Sequence, residues 1–172
     1  TNSIYVTLTI EGNDYESGLR EMSLSNDGIV WSMPEPYAPT KAWRLQSGDG
    51  TKTVFLRLID RAGNPSPVIT ARIILDTRPP AIEGLSSQVL PDGRLLFTWR
   101  TKEPTYGLIQ LGKAPNFPEP SEAALRSSAF SEEHTAVMAP PGKVRIVYYR
   151  VAACDEAGNR TYSGIGSLTI SE

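Results

Sequence analysis

The residues able to do chemistry are few and scattered. The one histidine, His134, follows Ser131, Glu132 and Glu133, and a hydrolytic site would need its imidazole to take a proton from a nucleophile held beside it. No Gly-x-Ser-x-Gly elbow or comparable frame accompanies it. His134 therefore reads as a solvated residue in a polar connection just before a strand. The one cysteine, Cys154, is flanked by Asp155 and Glu156 rather than by cations, and it reads as an inert small residue. One cysteine and one histidine exclude an intrachain disulfide, a cysteine zinc site and a two-histidine metal site. A glycosidase needs two carboxylates facing each other across a cleft, and nothing singles out such a pair among the 19 acidic residues. No catalytic residue is assigned, and no cofactor is implied.

Two binding chemistries are also open. Asp76, Glu103, Asp155 and Glu156 are hard oxygen donors expected near a domain junction, where they are the candidate ligands for Ca²⁺. The acidic spacing of known junction sites is absent, and Asp155 already has a turn to stabilise, so no metal is assigned. Trp31, Tyr37 and Trp43 fall within 13 residues of one another, and exposed rings of this kind stack on the apolar faces of sugars. Trp43 lies in an expected strand and belongs with the core, which leaves Trp31 and Tyr37 as the carbohydrate candidates.

The elements that must position these residues are strands. Asp60-Arg61-Ala62-Gly63-Asn64 recurs 95 residues later as Asp155-Glu156-Ala157-Gly158-Asn159. Upstream of the first copy Val54, Leu56 and Leu58 alternate with polar residues, and upstream of the second Tyr149, Val151 and Ala153 do the same. Period two marks a strand with one buried face. Asp at the head of a type I turn accepts following backbone N–H groups, and Gly three residues on supplies positive φ, so Asp60, Gly63, Asn64, Asp155, Gly158 and Asn159 read as structural turn residues. Further strands are expected at 5–10, 19–25, 42–46, 68–75, 81–89, 95–99, 107–111, 136–138 and 166–170. Turn signals separate them throughout. Only 121–127, with Ser121 as N-cap after Pro120, reads as one or two helical turns.

The boundary falls at Asp76-Thr77-Arg78-Pro79-Pro80, a short stiff linker because two prolines restrict the chain. The fold class is all-β: two tandem antiparallel β-sandwiches over residues 1–78 and 79–172. The first has no counterpart to the opening strand at 81–89. If that edge is open, it could accept a strand from a partner. The start at Thr1, without an initiator methionine or a signal core, reads as a cut within a longer polypeptide.

Residues 1–78, through Ser25-Asn26-Asp27-Gly28, Trp31-Ser32, Pro36-Tyr37-Ala38, Lys41-Ala42-Trp43, Gly48-Asp49-Gly50 and Asp60-Arg61-Ala62-Gly63-Asn64, resemble the bacterial immunoglobulin-like modules arrayed on secreted and surface proteins. Residues 79–172, through Phe97-Thr98-Trp99, Glu103-Pro104 and Tyr148-Tyr149-Arg150-Val151-Ala152, resemble fibronectin type III-like modules, but with Val147 where those place a tyrosine corner. The resemblance implies a non-catalytic structural, spacer or adhesion segment of an exported bacterial cell-surface protein. Its partners would be other domains of the same polypeptide, and a surface protein or polysaccharide. The alternative is an accessory carbohydrate-binding pair on a secreted enzyme. A net charge of −2 argues against nucleic acid. No apolar run reaches the roughly 20 residues of a membrane helix, and a monomer is expected.

Overall fold

The computed structural model describes residues 1–117 and 123–170. It is all-β, antiparallel throughout, with no helix among the described residues. The chain divides into two compact units, Thr1–Thr77 and Arg78–Glu172.

The first unit packs two sheets. β1 (Tyr5–Thr9) pairs with β4 (Thr40–Arg44), and the order of the other sheet is β3 (Glu35–Pro36), β2 (Leu19–Ser25), β5 (Gly50–Asp60), β6 (Ile69–Leu75). Alternation decides which side chains go inward. Val54 and Leu58 of β5 are buried, together with Met22, Leu24, Ile10, Leu45 and Leu75, while Arg57 between them points away from this core. The expected strand at 42–46 begins instead at Thr40, because Thr40 to Arg44 pair in register with Thr9 to Tyr5. Among the described residues, no strand lies beyond β1 in its two-stranded sheet. The chain start instead lies along the end of β6, where Thr1 donates its amino group to the Ile74 carbonyl and accepts from the Asp76 N–H.

The second unit is one hydrogen-bonded sheet folded on itself. β8 (Leu95–Gly112) is its spine, with β7 (Ile82–Val89) and β9 (Ala123–Met138) on either side, and β10 (Ile146–Cys154) pairing with its second half. β11 (Arg160–Tyr162) and β12 (Gly166–Thr169) both pair with β10. The separate strands expected at 95–99 and 107–111 are thus one. Pro104 has no N–H and interrupts the ladder, but the residue before a proline stays extended. The result is a pair of register shifts, between Arg100 and Thr105 and between Tyr106 and Leu108, where a loop was expected. The two halves enclose one core, Leu95, Phe97 and Trp99 facing Ile109, Leu111, Val147, Tyr149 and Val151.

The helical turn expected at 121–127 is corrected. Ser121 and Glu122 lie outside the described residues, and from Ala123 onward the chain is strand β9, with Leu125 opposite Ile109 and Arg126 opposite Leu108. The helix-forming residues there yield to the ladder they complete along β8, since tertiary context overrides weak local propensity.

Val147, at the tyrosine-corner position, is fully buried. Tyr149 instead accepts a hydrogen bond from Ser87 Oγ at 2.9 Å and lies flat over Gly166, where a Cβ would overlap its ring. Gly166→Ala is expected to cost about 1–3 kcal/mol by overpacking, read as a lower urea midpoint with an unchanged slope.

Candidate functional site

The repeated pentapeptides form the same clasp twice. Asn64 donates its N–H to Asp60 Oδ1 and its Nδ2 to Asp60 Oδ2, both at 2.7 Å, and Asp60 N–H donates to the Asn64 carbonyl at 3.1 Å. Asn159 and Asp155 repeat all three bonds at 2.8, 2.8 and 3.1 Å. Gly63 and Gly158 take φ of 94° and 96°, the left-handed geometry that glycine enters without strain. The Asn64 amide holds the Asp60 carboxyl below the usual carboxylate range. What differs is burial: Asp155 is 5% and Asn159 8% exposed, whereas both Asp60 and Asn64 are more open to solvent.

A second device accompanies the clasps. Ser66 donates its N–H to the Leu58 carbonyl and accepts the Leu58 N–H on Oγ at 3.0 Å, while that hydroxyl donates to the Pro67 carbonyl. Ser163 does the same with Val151 and Gly164, and Ser32 with Leu24 and Met33. In each case the serine hydroxyl supplies the acceptor that a continuing strand would otherwise offer, so the chain can leave the ladder without orphaning a backbone N–H. The partner lies 8 residues before Ser66 but 12 before Ser163, because β11 lengthens the second hairpin. Ser163→Ala is expected to cost about 1–2 kcal/mol through the stranded Val151 N–H, with faster hydrogen exchange at that amide.

Glu103 and Asp155 both belong to the second unit and bring carboxylate oxygens within 4.8 Å of one another. Glu156 is exposed, and Asp76 belongs to the first unit, just after β6. Both Asp155 oxygens already accept from Asn159.

Of the carbohydrate candidates, Trp31 and Tyr37 are both half-buried. Tyr37 packs against the Ile10, Met22 and Leu58 cluster and donates its hydroxyl to the Ile10 carbonyl at 3.1 Å. Trp31 lies under the Arg57 guanidinium, 4.4 Å from its ring centroid, on the face of β5 opposite that cluster. One ring is tied into the core and the other is capped by a cation, so they form no common platform. Trp43 packs on Leu24, Leu45 and Val54 and donates Nε1 to Asn26.

His134 is likewise corrected: it is 4% exposed, inside β9, and stacked on Trp99 with centroids 5.0 Å apart. Thr101 Oγ1 donates to the Glu103 carbonyl at 2.7 Å, so Thr105 donates to Thr101 and accepts from His134 Nε2 at 3.0 Å. That chain assigns the proton to Nε2. Nδ1 has no protein partner, and a Cβ at Gly107 would stand 2.7 Å from it. Burial pushes the imidazole pKa down, partly opposed by the Ser131 carbonyl. A neutral imidazole locked in a core has no reach to a substrate.

One arrangement was not foreseen. Across the outward face of β9, β8, β10 and β11, register places Arg126 beside Leu108, Leu108 beside Ala152, and Ala152 beside Tyr162. One row along lie Phe130, Tyr106, Cys154 and Arg160. The Tyr106 and Phe130 rings meet at 5.0 Å and stay 45% and 41% exposed. The Arg150 guanidinium sits 4.9 Å from the Phe117 ring and 4.5 Å from that of Tyr162, and donates to Gln110 Oε1. Between Arg126 and Arg160 lies a shallow cavity of about 50 Å³ lined by Tyr106, Leu108 and Cys154.

No protein family matches the chain, and no curated protein does. Among solved structures it is similar to a tetra-tandem repeat from the extending region of a large adhesion protein, with 12% identity and a TM-score of 0.37. The match covers 97% of this chain and 45% of that one. The chain thus spans less than half the length of that structure.

Proposed function

We propose that the chain is a pair of non-catalytic modules, immunoglobulin-like followed by fibronectin type III-like, serving as a structural, spacer or adhesion segment of a larger exported bacterial cell-surface protein. The observation that carries this reading is the repeated clasp. Two units of different strand order close their last long hairpins with the same three hydrogen bonds and the same serine exchange. The polar residues that stand out in the sequence are thereby spent on holding strands together. Many functions share the sandwich architecture, so the role is argued from these residues and not from the fold. In this reading the modules need no cofactor, and their neighbours are further domains of the same polypeptide.

Antibody raised against this chain, applied to intact cells that make the full-length protein, tests it. Labelling of unbroken cells that is lost on mild surface proteolysis is the expected result. Signal appearing only after lysis would overturn the export claim.

A further inference from the structure

The strand segments behind the outward face of the second unit, residues 105–112, 125–131, 146–154 and 160–162, contain none of the chain's 19 acidic residues. They do contain Arg126, Arg150 and Arg160. On a chain of net charge −2, this is a positive stretch bounded by the exposed Glu132 and Glu156, and its cations are interleaved with rings. We infer that this face binds an acidic polysaccharide, with Arg126 and Arg160 taking the carboxylate of a sugar acid over the central cavity and the rings of Tyr106, Phe130 and Tyr162 carrying the sugar faces.

The arrangement supplies each part. Arg150 is held between two rings and by Gln110, which fixes Phe117 and Tyr162 as rigid walls. Arg126 and Arg160 are exposed and stand on strands three spacings apart, roughly 14 Å, yet both side chains line the same cavity. A guanidinium pairs a carboxylate through two parallel N–H bonds. The cavity of about 50 Å³ admits a group little larger than one or two waters, which suits a carboxylate or hydroxyl and excludes a nucleobase.

Tyr162, 41% exposed like Phe130, accepts from Arg160 Nη1 at 3.4 Å, so cation and ring are oriented together. Aromatic faces attract the C–H face of a sugar by dispersion over a large area. An acidic peptide would bring its own main-chain polar groups onto strands β8 and β10, which already pair on both sides. It would gain no ladder by docking there.

Calorimetric titration of the whole chain with polygalacturonate, neutral dextran and poly-L-glutamate tests this, with melting temperatures as the folding control. Polygalacturonate is expected to bind, and the other two to give no heat. Arg126→Gln and Arg160→Gln should each weaken binding about tenfold, the loss of one charge-assisted pair, and Tyr106→Ala should do so without changing charge. These side chains are exposed, so folding should survive; Arg160→Lys, which keeps the charge and loses the two-pronged pairing, provides a second variant expected to weaken binding. Absence of polygalacturonate binding would overturn the proposal. So would equal affinity for poly-L-glutamate, which would make the face a site for acidic peptides, or affinity unchanged in all four variants.

Discussion

Replacing Asp155 with alanine is expected to lower the stability of the second unit by about 3 kcal/mol, since the buried Asn159 N–H and Nδ2 would both lose the carboxylate oxygens that accept them and each such loss costs about 1–3 kcal/mol. For a unit of this size the melting temperature should drop by something on the order of 15 °C. Asp60→Ala removes the same bonds in the first unit, but there water can replace the carboxylate, so the shift should be much smaller. Calorimetric scans of the two variants check the contrast. Small and equal shifts would mean that the buried clasp contributes no more than the exposed one.

Acidification should act on the units in different windows. His134 is the one histidine and lies in the second unit, where burial depresses its pKa from 6.5. In the unfolded chain it takes up its proton first. Stability is therefore full above pH 6.5 and falls with decreasing pH until the folded-state pKa is passed. Protonation would also place a hydrogen on Nδ1 against Gly107. The first unit instead has Asp14, Asp27 and Asp60 held below 3.8 by Ser17, by the Ile29 and Val30 N–H groups, and by Asn64. Its stability persists above 3.8 and is lost as pH falls through the depressed values.

The Trp99 signal should therefore lose stability as pH falls below 6.5, while signals from Trp31 and Trp43 hold until about pH 4. His134→Gln should flatten the first slope. A Trp99 unfolding midpoint that does not fall as pH is lowered through 6.5 would contradict the buried neutral imidazole.

What could be seen in the sequence was whatever repeats locally. The turn motif at Asp60 and Asp155 carries its own hydrogen-bond chemistry, and alternation along Val54, Leu56 and Leu58 marks an inward face without any knowledge of partners. The three polar neighbours Ser131, Glu132 and Glu133 mark His134 as solvated, but strand register decides its side. Continuing the alternation back from buried Ala136 puts 134 inward and Glu133 and Thr135 outward, as observed. The residues at 123–126 favour helix by local propensity, which the β8 ladder overrides. The serine exchanges were hidden because their partners stand 8 or 12 residues away, with no fixed spacing to search for. The arginine and aromatic face is assembled from positions 106, 126, 130, 150, 160 and 162, and only strand register makes them neighbours.

Side-chain clasps and serine exchanges hold both units in one scheme, and residue-resolved amide hydrogen exchange on the intact chain tests this most directly. Asn64, Asn159, Leu24, Leu58 and Val151, whose N–H groups bond to side-chain oxygens, should be protected, with Asn159 the slower of the two clasp amides. Asp60→Ala should release Asn64, and Asp155→Ala should release Asn159. Fast exchange at these amides in the unaltered chain, or protection that survives loss of the aspartates, would contradict it.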